Sequence, residues 1–298
     1  MDNLIKIKFL VIAGLVGALF LVGNASVAHA EEAPEGMTLS PTSNNYEVDP
    51  GEVVQGELTV LNDGQTPYDF RVYAAPYSVS GENYDPNFMD VTPTSDVFRW
   101  IQFEQVNWRA EVRETIKIPF TMRVSGTASP GGHYGVIFAE TQPKDDRGSV
   151  VRKKRLGMVM YVNVRGDSKL EGKTQSIGIG WLQNRSPVKA EVRYSNTGNV
   201  HYMSKQEMII TDILGRTVYR HTQDLAVLPD KPRQVDLRWS GASWLGLYRV
   251  TVASIATGDA TSKESYVLVA PVWFLALVIA SVGSGVAYAI YGRRKKRR

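Results

Sequence analysis

The sequence predicts an all-β protein of two tandem sandwiches followed by one transmembrane helix. Short segments alternate apolar and polar residues with a period of two, as in residues 54–60, 68–72 and 116–124. Turn sequences such as Asn62-Asp63-Gly64 separate these segments, and no exterior stretch of ten residues shows a capped helical period. Residues 272–291 form a long, continuous stretch without a charged residue.

That C-terminal stretch predicts a membrane span over residues 271–291. Twenty uncharged residues at about 1.5 Å each match a hydrocarbon core of roughly 30 Å, and Trp273 is placed like an interfacial anchor. A buried core helix is the alternative. The six cations of the tail, residues 292–298, predict that this end stays in the cytoplasm; they are Arg293, Arg294, Lys295, Lys296, Arg297 and Arg298.

The N-terminus predicts export. Residues 1–30 combine Lys6 and Lys8, an apolar run and the small residues Ala28 and Ala30, as in a signal peptide cleaved after residue 30. An uncleaved signal anchor is the alternative. The expected location is therefore a bacterial cell membrane, with one span, most of the chain outside and the C-terminus inside.

Charge and cysteine content exclude two classes of protein. The net charge of +4 comes from the two ends, and residues 31–270 hold 26 basic and 29 acidic residues, so no nucleic-acid partner is expected. The chain has no cysteine, which excludes a disulfide framework and weakly favours a bacterial source.

Two similar domains are predicted, over residues 31–165 and 166–268. Asn62 and Asn196 each end an alternating strand just before a glycine turn, and Tyr134 and Tyr248 each follow a glycine at the start of a later strand. In immunoglobulin-like sandwiches a tyrosine near this point bonds back to the preceding corner. Both domains are therefore predicted to be immunoglobulin-like.

The first domain carries about twenty additional residues, placed between residues 76 and 96. This segment is polar and rich in turns and aromatic residues, and long insertions on a rigid scaffold often carry binding residues. An aromatic platform for a glycan is one hypothesis, and burial of Trp100 in a sandwich core is the other. The candidate ligand-binding residues are Tyr77, Tyr84, Phe88, Trp100 and Trp108.

Catalysis, metals and cofactors are not expected. The exterior has three histidines, no cysteine and no Gly-x-Ser-x-Gly or His-x-x-x-His spacing. The acidic loop at residues 82–90 could offer oxygen ligands to calcium, but Pro86 interrupts an EF-hand pattern and a solvated loop is the alternative. The basic run at residues 152–155 is predicted to be a solvated turn.

The order of these motifs resembles the WxL-interacting cell-surface proteins. The likeness rests on Thr38-Leu39-Ser40-Pro41, residues 48–52 and 130–137 in the first domain, and residues 194–201 and 212–215 in the second. The resemblance implies a surface adhesin or scaffold whose first domain binds peptidoglycan and whose second binds host proteins.

The sequence thus favours a non-catalytic, membrane-anchored surface protein that binds the cell wall, a protein partner, or both. The alternative is a chaperone-like or structural component of a surface or pilus-like assembly. Such a component would donate or accept a strand at a sheet edge.

Overall fold

The computed structural model describes residues 36–142 and 153–295, and within them the chain forms two β-sandwiches and a C-terminal helix. The predicted signal peptide lies outside the described residues. The strands of the first sandwich are β1 (Thr38–Ser40), β2 (Ser43–Val48), β3 (Val53–Leu61), β4 (Tyr68–Pro76), β5 (Ser78–Ser80), β6 (Asp85–Asn87), β7 (Ile101–Gln102), β8 (Asn107–Ala110), β9 (Thr115–Arg123), β10 (Gly131–Thr141) and β11 (Arg155–Val164).

Two sheets enclose the first core. One has the order β1-β3-β9-β7 and the other β2-β11-β10-β4-β8, in which β2 runs parallel to β11. The alternation in β9 explains its place, because Ile116, Ile118, Phe120 and Met122 all point into the core and the residues between them do not. A short 3-10 turn, Val97–Arg99, precedes β7.

The second sandwich repeats this plan, with eight described strands in its two sheets against nine in the two sheets of the first. Its strands are β12 (Gly172–Ile179), β13 (Leu182–Gln183), β14 (Val188–Asn196), β15 (Tyr202–Thr211), β16 (Thr217–Val227), β17 (Arg233–Trp239), β18 (Gly246–Ala256) and β19 (Asp259–Val269). The two sheets have the orders β12-β14-β17 and β13-β19-β18-β15-β16, and β13 again runs parallel to the neighbouring β19. Nothing within the described chain takes the place that β7 has beside β9.

The all-β prediction and its strands agree with this structure. Residues 54–60 lie in β3, 68–72 in β4 and 116–122 in β9, and the predicted boundary at residue 165 falls between β11 and β12. Tyr248 makes the predicted corner bond, since its hydroxyl accepts a hydrogen bond from the Ser243 amide at 3.0 Å.

The predicted transmembrane helix is the part of the fold prediction that is wrong. Helix α1 spans Val272–Lys295, but in the described part of the chain no helix is long and apolar enough to cross a membrane. The predicted single-pass membrane location depended on this span and is therefore wrong too.

The residues assigned to membrane topology are therefore reassigned. Trp273, predicted as an interfacial anchor, instead stacks on Trp244 of the second sandwich with ring centroids 6.3 Å apart. Three of the predicted topology cations are the last residues of α1, and the other three lie outside the described residues. The first three are Arg293, Arg294 and Lys295, and the others are Lys296, Arg297 and Arg298.

Candidate functional site

The inserted segment of the first sandwich joins the two domains. Hairpin β5–β6 reaches across to the second sandwich, where the ring of Tyr84 is 7% exposed. Its hydroxyl donates to the Lys231 carbonyl at 2.7 Å and accepts from the Leu228 amide at 2.9 Å. Burial raises the pKa of Tyr84 to about 12, although the Leu228 amide and the Arg233 guanidinium over its ring act in the opposite direction. This tyrosine is therefore a neutral structural anchor.

The tip of the same hairpin adds polar contacts to the junction. The Glu82 carboxylate pairs with Arg193, and the Glu82 carbonyl accepts from the Gln234 amide at 2.7 Å. On the other side of the junction, the Gly132 amide donates to the Asn199 carbonyl at 2.9 Å. Contacts on both sides indicate a fixed arrangement of the two sandwiches.

A cleft of about 610 Å³ lies between the hairpin and the second sandwich. Tyr77 and Tyr134 line its apolar part, and its polar part includes Asn199, Asp230 and Lys231. Its size is within the range of small-ligand pockets, and its polar groups could bind a small polar molecule.

The five predicted ligand-binding residues do not form one platform. Tyr77 and Tyr84 are buried at the junction, where Phe88 packs edge-on against Phe138 at 4.9 Å. Trp100 is 5% exposed in the first core beside His133, and the half-buried Trp108 donates its indole N–H to the Gln105 carbonyl at 3.1 Å. Ligand binding by these five residues stays a prediction, with Tyr77 at the cleft.

The acidic loop at residues 82–90 is held by contacts within the protein. Glu82 pairs with Arg193, and the Asn87 side-chain amide donates to the Asp90 carboxylate at 2.6 Å. Among the described residues, no group of three or more acidic, histidine or cysteine side chains could hold a metal ion.

The basic run at residues 152–155 is described only from residue 153. There Lys153 lies 3.8 Å from Glu140, and the Arg155 guanidinium lies 4.5 Å from the ring of Phe138. These contacts hold both cations at the first sandwich.

Ser129, His133 and Asp96 lie close enough to suggest a catalytic triad, but their hydrogen bonds argue against one. His133 Nδ1 lies 2.7 Å from the Asp96 carboxylate, and Nε2 lies 2.8 Å from the Ser129 carbonyl, against 3.4 Å from its hydroxyl. Both acceptors require an N–H, so the ring is an imidazolium without a free nitrogen to accept a proton. Burial lowers the pKa of His133, but Asp96 and the Ser129 carbonyl outweigh it and raise the pKa.

Most edge strands of the described sheets are protected against pairing with another strand. Strands β1, β7 and β13 are two or three residues long, and β12 carries a bulge near Thr174. Along β17, the Gln234 amide is bonded to Glu82, and the Arg238 carbonyl accepts from the Tyr219 hydroxyl at 3.4 Å.

Strand β16 is different, because among the described strands its eleven residues pair with β15 alone. The Ala226 carbonyl points away from β15 and accepts a hydrogen bond from Arg233. The period of two gives the same outward direction to the backbone groups of Asp224, Thr222 and Arg220. Between Thr217 and Asp224, no backbone hydrogen bond within the described residues reaches this outer edge.

The side chains of β16 give the edge two distinct faces. Toward the interior, Tyr219 stacks between Trp239 and His221, with ring centroids 6.0 and 6.2 Å apart. Toward solvent, Arg220 bonds Glu207 of β15 at 2.9 Å. An added strand would therefore meet aromatic rings on one face and polar groups on the other.

This edge was missed by reasoning from the sequence, because residues 217–224 show no clear apolar alternation. A usable signal was present: the segment is free of glycine and proline, and it lies between the turn at residues 212–215 and the apolar residues 225–227. That pattern is typical of a long, solvated edge strand.

Comparison with known proteins adds only distant likenesses. No protein-family model and no curated protein matches the chain. Among solved structures, the class 5 fimbriae chaperone CfaA has 8% sequence identity and a TM-score of 0.39, over 77% of this chain and 99% of that one. The Pseudomonas aeruginosa CupB2 chaperone has 11% identity and a TM-score of 0.38, over 76% and 99%.

The E. coli chaperone DraB is similar to the chain at 14% identity and a TM-score of 0.38, over 78% of this chain and 97% of that one. None of these structures is described as a WxL-interacting or peptidoglycan-binding protein, and likenesses at these TM-scores carry no argument about function. The resemblance to the WxL-interacting family stays a prediction. We therefore derive a function from the geometry of the chain itself.

Proposed function

We propose that this chain is a non-catalytic, chaperone-like or structural component of a surface or pilus-like assembly. It binds a partner protein by pairing one of the partner's strands with the outer edge of β16. The observation that supports this is the length of the free part of that edge: within the described chain, the backbone of residues 217–224 is hydrogen-bonded to β15 alone, whereas β1, β7 and β13 are short, β12 is bulged and β17 is bonded at Gln234 and Arg238.

Backbone pairing supplies affinity in this mode of binding, and alternate side chains supply selectivity. The interior face of the added strand would cover His221 and the half-buried ring of Tyr219, which favours apolar or aromatic residues at those positions. Its solvent face would lie beside Thr222, which favours polar residues. The partner segment is therefore an amphipathic β-strand.

The rigid junction fits this role. Tyr84 and Glu82 of the first sandwich hold the loop that joins β16 to β17 and the start of β17 itself. The edge is thereby presented in one orientation, which lowers the ordering cost of binding.

A photo-crosslinking residue at Asp224, in cells of the source organism, tests the proposal. Adducts with a partner protein should form, and they should disappear when Thr222→Pro is added, because proline removes the outward N–H and blocks a further strand. The ladder to β15 does not use that N–H, so the variant should melt within a few degrees of the parent.

Thr222→Ala is the matched control, since it changes the same side chain but keeps the N–H, and its adducts should persist. Undiminished partner adducts with Thr222→Pro would contradict the proposal. Adducts that contain only a second copy of this chain would contradict it too.

A further inference from the structure

The outer edge of β16 is complementary to itself. Its outward positions carry a cation at Arg220, a hydroxyl at Thr222 and an anion at Asp224, evenly spaced about Thr222. We propose that a second copy of the chain caps this edge, by antiparallel pairing of the two β16 strands about a two-fold axis at Thr222. This inference rests on the proposed function, because it names the occupant of the same edge when no partner strand is bound.

Charge determines the register. With Thr222 opposite Thr222 of the second copy, Arg220 of each chain lies opposite Asp224 of the other, which makes two opposite-charge pairs. Shifting the pairing by two residues at either strand places Arg220 opposite Thr222 or Ala226 instead, and both charge pairs are lost. A shift that pairs odd with even positions would turn the hydrogen-bonding groups away from each other.

The surroundings of the edge leave this register accessible. The Arg220 side chain is 61% exposed and is held on the solvent face by Glu207. Strand β16 has no proline or glycine, and the bond from Arg233 to the Ala226 carbonyl sets Asp224 as the end of the pairing. Five paired residues in each chain form a small interface, which an incoming partner strand can replace.

The absence of cysteine allows a direct test in the full-length chain. Opposed hydrogen-bonded residues of an antiparallel pair have Cα atoms about 5.5 Å apart, within the range of a disulfide. Under mild oxidation, Thr222→Cys should give a covalent dimer of twice 33.1 kDa. Asn107→Cys, an exposed position on the edge strand β8, is the matched control and should not.

Mixed variants fix the register. Chains with Arg220→Cys and chains with Asp224→Cys should crosslink with each other when mixed, and far less when each is oxidised alone. Equal crosslinking of Thr222→Cys and Asn107→Cys, or no gain on mixing, would overturn the proposed dimer.

Charge reversal gives an independent readout. Arg220→Asp should raise the dimer dissociation constant about tenfold by sedimentation, because each attractive pair becomes a repulsive one. Combining Arg220→Asp with Asp224→Arg should restore it, and failure to do so would overturn the register. Melting temperatures check for effects of the lost bond to Glu207.

The two proposals fail separately. Partner adducts in cells without self-crosslinking would overturn only the dimer. Self-crosslinking without partner adducts would overturn only the proposed function.

Discussion

Asn62 and Asn196 make the same three hydrogen bonds in the two sandwiches. Each side-chain amide donates to two backbone carbonyls: one four residues further along, and one at the last residue of the outer strand, β8 or β16. The distances are 2.9 and 3.2 Å for Asn62, and both are 2.8 Å for Asn196. Each side-chain oxygen accepts from the amide two residues on, at 3.0 Å. The two sandwiches thus have the same type of corner. The bond to the outer strand joins residues 48 positions apart in the first sandwich and 31 positions apart in the second.

We expect Asn196→Ala to destabilise the second sandwich strongly. Asn196 is 4% exposed, and its removal leaves the carbonyls of Val200 and Val227 and the amide of Gly198 without this partner. Unpaired buried groups cost about 1–3 kcal/mol each, so the loss of this partner at three groups should lower the free energy of unfolding in urea by about 3 kcal/mol or more. The exposed Asn107→Ala should change it by less than about 0.5 kcal/mol. An equal effect of both would refute this role.

The sequence predicted the strand and the glycine turn at each corner, but not these hydrogen bonds of the asparagines, because only the strand and turn signals are local. Strand periods of two are set by neighbouring residues, and the turns after Asn62 and Asn196 follow within two positions. The same holds for Tyr248, whose corner bond joins residues five apart. The additional chain of the first domain was also predicted in the right place, since hairpin β5–β6 lies within residues 76–96.

The candidate site could not be predicted in the same way, because it depends on distant contacts. Tyr84 bonds a residue 147 positions away, and nothing local distinguishes a buried tyrosine from an exposed one in a loop. Likewise, β16 is an edge only because no described strand of this chain follows it in the sheet. Which strand is outermost is a property of the topology, and one sequence does not determine it.

Tyr84→Phe should loosen the junction without unfolding either sandwich. The change keeps the ring between the domains but removes both bonds of its hydroxyl, to the Leu228 amide and the Lys231 carbonyl. We expect hydrogen exchange at the Leu228 amide to accelerate about tenfold, since a net bond is worth about 1 kcal/mol or more. Tyr266→Phe, at a residue 62% exposed, is the control. Unchanged exchange at Leu228 would show that the hydroxyl does not hold the loop.

His133 should make the first sandwich less stable as the pH rises above neutrality. Its pKa is raised in the folded chain by Asp96 and the Ser129 carbonyl, despite burial, so the folded state holds a proton that the unfolded state releases. The stabilisation is complete below the unfolded pKa of about 6.5 and is lost as the pH passes through the raised folded value. Melting temperatures from pH 6 upward should show this decline.

Asp96→Asn should flatten that decline, because it removes the carboxylate that favours the charged ring. His221→Gln, which changes an exposed histidine, should leave it in place. A decline of the same size in Asp96→Asn would mean that another group is responsible.

His201, at the domain junction, should make the protein less stable as the pH falls, which is the opposite pH dependence to that of His133. The ring lies against Tyr161 and Tyr134 of the first sandwich, at centroid distances of 5.0 and 5.8 Å. Nε2 lies 3.0 Å from the Asn45 side-chain oxygen, and Nδ1 is buried without a hydrogen-bond partner among the described residues. Burial lowers the pKa of His201 to about 4, so the ring is neutral when the junction is closed.

Because the unfolded state binds a proton below about pH 6.5 and the folded state only near pH 4, the contribution of His201 to stability is complete above pH 6.5 and is lost as the pH falls toward 4. The loss should be on the order of 2 kcal/mol, measured by urea unfolding at pH 7 and pH 4.5. His201→Gln removes the titrating group but can still donate to Asn45, and should reduce the difference between the two pH values. His221→Gln should not reduce it, since that ring is exposed. If both variants keep the full difference, acid weakens the protein at carboxylates elsewhere and not at this junction.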